Sequence, residues 1–105
     1  MKRIAANKIL LDAETLLLNA VIEVDEGVVR NIFELGNCQV EPAGTQFFNG
    51  LITTFVPKEN RIVGRPVPEL VAESLAIGYS GKIILWQHLS LSSFKITVDT
   101  QMIEL

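Results

Sequence analysis

The side chains able to do acid–base, nucleophilic or metal chemistry are few and scattered. The one histidine, His88, and the one cysteine, Cys38, stand fifty positions apart. A metal site needs several His, Cys or carboxylate ligands converging, and a Cys–His nucleophilic pair needs the two side chains in contact. The plainer readings carry more weight: a satisfied or interfacial histidine beside Trp86, and a small, partly buried thiol. Asp25 and Glu26 sit beside a turn glycine, where acids are ordinary solvated residues. Glu69 and Glu73 fall on the polar face of an expected helix and read as solvent-facing. Gly44, Gly50, Gly64, Gly78 and Gly81 form no GxGxxG or GxxxxGK pattern, so no phosphate cradle is indicated. The aromatics Phe47, Phe48, Phe55, Trp86 and Phe94 fall in apolar strands rather than on a basic face, which suits a core or an interface better than base stacking. The sequence nominates no catalytic residue, no cofactor-binding residue and no metal ligand.

The elements that would have to position any such group belong to one domain. The chain has 105 residues, a single-domain length that buries roughly two-thirds of its unfolded surface. Hydrophobic residues make up 49% of it, and seven glycines lift the apolar share above the usual range. Either the core is very full or an apolar face needs a partner. The net charge is −3 and no Lys/Arg cluster exists, so nucleic acid is not an expected partner. A lone cysteine excludes an intramolecular disulfide and fits a reducing cytoplasm. The opening MKRIAANKILLDAETLLL begins basic and turns apolar, but Asp12 and Glu14 interrupt it before a signal-peptide core forms. No stretch of 18 uncharged residues is present, so no membrane span is expected.

The order of elements reads as mainly β. Lys2 to Leu11 is a first strand whose faces are loosely set, with Ile4, Ala6 and Lys8 on one side and Ala5 and Ile9 on the other. Asp12 to Thr15 is a turn. Leu16 to Val24 and Val28 to Leu35 form a hairpin around Asp25-Glu26-Gly27. The best-segregated register puts Val24 opposite Val29 and Glu23 opposite Arg30; one face then carries Ala20, Ile22, Val24, Val29, Phe33 and Leu35. Cys38 to Val40 is a short strand. In TQFFNGLITTFVPKEN (45–60) two apolar runs flank Asn49-Gly50 before Pro57 and a charged segment. Residues 61–67 are a connector rich in Gly and Pro. Pro68 to Ile77 is the single helix candidate, with Pro68 at its first position, Glu69 on its dipole and Gly78 at its end. In Lys82 to Leu89, Ile84, Trp86 and His88 share one face and Ile83, Leu85 and Leu89 the other; both faces are mostly apolar, as in a central, twice-covered strand. Ser92 to Val98 and Met102 to Leu105 close the chain as strands. The expected fold is a small β-sandwich or partly open barrel of about seven to nine strands with one short helix over 68–77, a single domain over 1–105 built from strands of 1–60 and 80–105.

These motifs resemble the two ends of the amidohydrolase superfamily, the metal-dependent hydrolases. The family's hairpin "V-D-E-G-x-I" is matched by Val24-Asp25-Glu26-Gly27-Val28-Val29. Its strand "N-G-x-I-x-P-G-F-V-N-x-H-x-H" is approached by Asn49-Gly50-Leu51-Ile52-Thr53-Thr54-Phe55-Val56-Pro57. Its tail is similar to Gly81-Lys82, Ile83 to Trp86, Leu89-Ser90-Leu91 and Phe94-Lys95-Ile96-Thr97. In that family both ends join into one composite β-sandwich beside a catalytic (β/α)₈ barrel. Here the two metal-binding histidines should fall near Glu59 and Arg61, and neither is His. A barrel needs about 250 residues, whereas seven separate Asn60 from Pro68. The resemblance therefore implies a composite domain without its barrel, not an enzyme, with no catalytic residue to carry over.

The first functional expectation is thus a non-catalytic structural or protein-interaction module, dimerising with itself through the apolar sheet face that the barrel would have covered, or covering it with another protein. The alternatives are a small-molecule binding domain with an apolar pocket near Trp86 and His88, and an accessory piece of a split metal-dependent hydrolase.

Overall fold

Runs of Ile, Val, Leu and Phe broken by polar turns give six strands in a computed structural model that describes residues 2–35, 44–54, 64–71, 73–89 and 94–105. They are β1 (Lys2–Leu10), β2 (Leu16–Asp25), β3 (Val28–Glu34), β4 (Thr45–Thr53), β5 (Ile84–Gln87) and β6 (Gln101–Glu104). All six belong to one sheet in the order β3-β2-β1-β4-β5-β6. Every neighbouring pair is antiparallel except β1 and β4, which run parallel. The fold is mainly β, as expected, with six strands among the described residues rather than seven to nine. Strands from both ends of the chain meet where Leu51, Ile52 and Thr53 pair with Trp86, Leu85 and Ile84. The expected strand at Cys38 to Val40 lies outside the described residues. So do Glu59 and Arg61.

The hairpin turns are local chemistry. Asp12 Oδ1 accepts hydrogen bonds from the backbone N–H groups of Glu14 at 2.8 Å and Thr15 at 2.9 Å, closing the β1–β2 turn. These donors, Glu14 first, hold its carboxyl below the usual value of 3.8. Between β2 and β3, Glu26 (φ 52°) and Gly27 (φ 78°) form a two-residue loop with both φ positive, the type I′ geometry that matches strand twist.

Val24 pairs with Val29 as expected, but Glu23 faces Asn31, not Arg30. Arg30 is the extra residue of a β-bulge. Beyond it the sides exchange: Phe33 pairs with Val21, and Ile32 rather than Phe33 packs with the Ile22 core. Glu23 Oε2 instead accepts from Arg3 Nε at 2.8 Å, and its Oε1 accepts from Asn31 Nδ2 at 3.2 Å.

A second irregularity explains the loosely set face of β1. Ile4, Ala6 and Ile9 join one core, while Leu10 joins the other. The side-chain alternation is therefore broken between Ala6 and Ile9, at Asn7. In β2 the same break falls between Leu17 and Ala20, at Asn19 (φ 48°), a residue type that tolerates the left-handed region.

Two cores result. One face buries Ile4, Ile9, Ile22, Ile52, Leu75 and Leu85 with their neighbours; the opposite face buries Leu10, Leu51, Val67, Ile84, Trp86 and Ile96. β5 is accordingly covered on both sides, as its sequence predicts. The helix expected over 68–77 does not form. Val67–Glu69 makes one 3₁₀ turn, and the following backbone bonds outward: Leu75 N–H to Leu11 O at 2.9 Å, and Gly78 N–H to Val29 O at 2.7 Å with Val29 N–H to Tyr79 O at 2.8 Å. A ten-residue helix is marginal by itself, and these pairings with strand ends replace its internal ladder. Nor does Ser92 to Val98 form a strand among its described residues: Lys95 makes an isolated bridge to Pro66. No helix among the described residues is long and apolar enough to cross a membrane.

Candidate functional site

The break at Asn7 brings polar residues and an apolar floor together. Opposite Asn7, β4 supplies two residues, Asn49 and Gly50, because Ala6 pairs with Phe48 but Lys8 with Leu51. Bulges of this kind re-aim side chains and recur beside functional sites. Gly50 (φ 156°) lets β4 and β5 approach closely: a Cβ there would stand 2.5 Å from the Trp86 carbonyl oxygen and 3.2 Å from Leu85 Cδ1.

A pocket of about 430 Å³ opens here, within the size range of small-molecule sites. Buried Leu51 and Trp86 contribute its floor, and half-buried Leu89 and Phe94 its apolar side. Asn7, Asn49 and His88 are exposed members of the lining, with Asn7 Nδ2 donating to Asn49 Oδ1 at 3.1 Å. Lys8 Nζ stands 4.9 Å from the centroid of the Phe94 ring, a cation–π distance. The Trp86 indole donates from Nε1 to Thr53 Oγ1 at 2.7 Å, and Thr53 is fully buried. Among the described residues every buried side-chain N or O has a hydrogen-bond partner.

Two lining residues hold left-handed backbone without being glycine: His88 at φ 63° and Phe94 at φ 54°. Each such residue costs on the order of 1–3 kcal/mol, and these conformations cluster at functional sites. Tertiary contacts fix both. The His88 carbonyl accepts from Thr97 Oγ1 at 3.2 Å and Thr100 Oγ1 at 3.0 Å; the Phe94 carbonyl accepts from Val67 N–H at 2.9 Å. The turn at His88 also overturns the expected alternation, since Leu89 packs with Ile84 and Trp86 rather than with Ile83 and Leu85.

Of the residues weighed from sequence, Trp86, His88, Phe94 and Gly50 meet at this pocket. Asp25 and Glu26 lie at the β2–β3 turn, away from its lining; Glu69 is exposed at the end of the 3₁₀ turn and Glu73 on irregular chain, neither on the expected α-helix. Cys38 and Phe55 lie outside the described residues. Among the described residues no three His, Cys, Asp or Glu side chains come close enough together to hold a metal ion. Sequence reasoning missed Asn7, Lys8 and Asn49. Their signal was the unsettled face of the first strand, an alternation that fails at an asparagine. No family model, curated protein or solved structure matches the chain.

Proposed function

We propose that this protein is a non-catalytic β domain that binds a small molecule in the pocket beside Trp86 and His88. The observation that carries this reading is the pocket itself: a buried apolar floor, a polar rim and two left-handed residues, His88 and Phe94, held by hydrogen bonds from elsewhere in the fold. Such a combination is the usual make-up of a ligand site, where apolar walls supply affinity and a few polar groups supply orientation. A thermal-shift screen with small amphipathic compounds tests it. A ligand at about a hundred times its Kd stabilises the fold by about 2.7 kcal/mol, an upward shift of roughly 10 °C or more for a domain of this size. A flat response across the screen sinks the reading.

A second reading is the interaction module, and one observation favours it. Leu18 (52% exposed), Phe47 (46%) and Met102 (46%) present large apolar side chains on the face shared with Lys8, Ala5 and Trp86, their respective cross-strand partners. The composite-domain resemblance expects an apolar face covered by a second copy, and the pairing of β4 with β5 supports that resemblance by joining both ends of the chain in one sheet. Light scattering decides: a strictly monomeric species at micromolar concentration removes the dimer.

A further inference from the structure

We infer that the pocket is selective for an anion, and that its ligand is a small organic acid: an aromatic or aliphatic body carrying one carboxylate. The inference rests on the pocket being a binding site and adds the ligand's charge and the residue that reads it.

The argument is one of charge placement. The chain carries twelve acidic against nine basic residues, yet no Asp or Glu lines this pocket among the described residues, and Lys8 does. Among the described residues ion pairs engage Arg3 and Lys82; Lys8 instead rests over the Phe94 ring. Lys8 is half-buried, and the apolar Leu51, its partner on β4, and Trp86 line the same cavity. An ammonium partly withdrawn from water, with a ring face against it, gains most from a carboxylate. Asn49 and His88 also line the cavity, and an amide or imidazole N–H is a donor for a second carboxylate oxygen. The remaining wall of Leu51, Trp86, Leu89 and Phe94 suits an apolar body. The break in alternation at Asn7 is what puts Lys8 on this face; a regular β1 would send its side chain to the other one.

The test uses three probes that differ only in their terminal group: 3-phenylpropionate, 3-phenylpropan-1-ol and 3-phenylpropylamine. Binding is read from the single tryptophan indole N–H signal in ¹⁵N–¹H NMR titrations, since Trp86 is the only tryptophan. A charge-assisted contact predicts that the acid binds about tenfold more tightly than the alcohol, with the amine weakest of the three. Lys8→Met, which keeps the length of the side chain, should bring the acid to the level of the alcohol, and Lys8→Arg should keep the preference. Added salt should narrow the gap between acid and alcohol. An amine that binds as well as the acid overturns the inference from the wild-type protein alone, whatever the variants do. A preference that survives in Lys8→Met overturns it too. If the probes bind without regard to charge, the pocket remains a binding site and only the anion selectivity is wrong; if none of them binds, both readings fall.

Discussion

Gly50→Ala tests whether the pocket and the β4–β5 junction depend on one close backbone approach. The added methyl meets the Trp86 carbonyl oxygen at 2.5 Å and Leu85 Cδ1 at 3.2 Å. The leucine methyl can rotate aside, but the carbonyl belongs to the paired strand and must retreat by roughly an ångström to reach ordinary van der Waals distance. Overpacking of this kind costs about 1–3 kcal/mol. The backbone at φ 156° adds a further cost of about 1–3 kcal/mol for a residue with a Cβ. Together they predict a loss of about 2–6 kcal/mol, against a total stability of about 5–15 kcal/mol for a domain. The control is Gly27→Ala, where φ is also positive at 78° but nothing lies within 4 Å of the new methyl; backbone strain alone should cost about 1–2 kcal/mol there. Urea unfolding followed by Trp86 fluorescence and by far-UV circular dichroism gives both values. A Gly50→Ala protein no less stable than Gly27→Ala would refute the claim that this glycine is required by strand approach.

Three other outcomes follow from the packing and the charges. Leu75→Ala should cost about 2–5 kcal/mol, as for other large-to-small core changes, because Leu75 is only 2% exposed, while Ile77→Ala at 60% exposure should stay within about 0.5 kcal/mol of wild type; equal effects in denaturant melts would mean that the 73–79 segment does not plug the core. A double-mutant cycle of Arg3→Ala and Glu23→Ala should give a coupling of about 0.5–1 kcal/mol that weakens in salt, the pair being 2.8 Å apart and partly shielded. Asp12 has its carboxyl held below 3.8 by backbone donors, so its ionised form favours the folded state. That contribution is complete above the unfolded value and is lost as pH falls through the lower folded one; acid titration of stability should show wild type and Asp12→Asn converging below pH 3.8, and a gap that widens there would contradict the sign.

The strand-rich class, the hairpin around Asp25-Glu26-Gly27, the Asp12 turn and the double coverage of β5 were legible because each depends on residues near in sequence. Val24 opposite Val29 was legible for the same reason: the turn sets it. What failed was everything downstream of an inserted or flipped residue. Arg30 bulges, so Glu23 does not face it and instead makes an ion pair with Arg3 on another strand. Asn7 breaks the alternation, so Lys8 changes faces and a pocket appears that periodicity could not place. The helix over 68–77 failed differently. Its end signals were sound, but its backbone found partners at Leu11 and Val29 that a local reading does not weigh. The candidate site was legible at Trp86 and His88, where an apolar strand meets a polar residue; at β1 the unsettled alternation around Asn7 was its only mark, and that mark does not name β4 as the partner strand.

That parallel contact also sets an order of assembly. β1 and β2 close over the short 11–15 turn, and β2 and β3 over two residues, so the three-stranded meander pays little loop entropy. The other edge of β1 must wait for β4, whose paired residues lie some forty positions downstream, and β4 in turn waits for β5 a further thirty or so along. Pairings of such sequence separation slow folding. The rate-limiting step is then the docking of β4 on a preformed meander, and until it occurs the hydrogen-bonding edge of what becomes an interior strand is open to any other chain nearby. Substitutions at Ile9 and Ile52, which face each other across that seam, should slow refolding, whereas those at Met102 and Ile103 in the last-joined strand should chiefly speed unfolding.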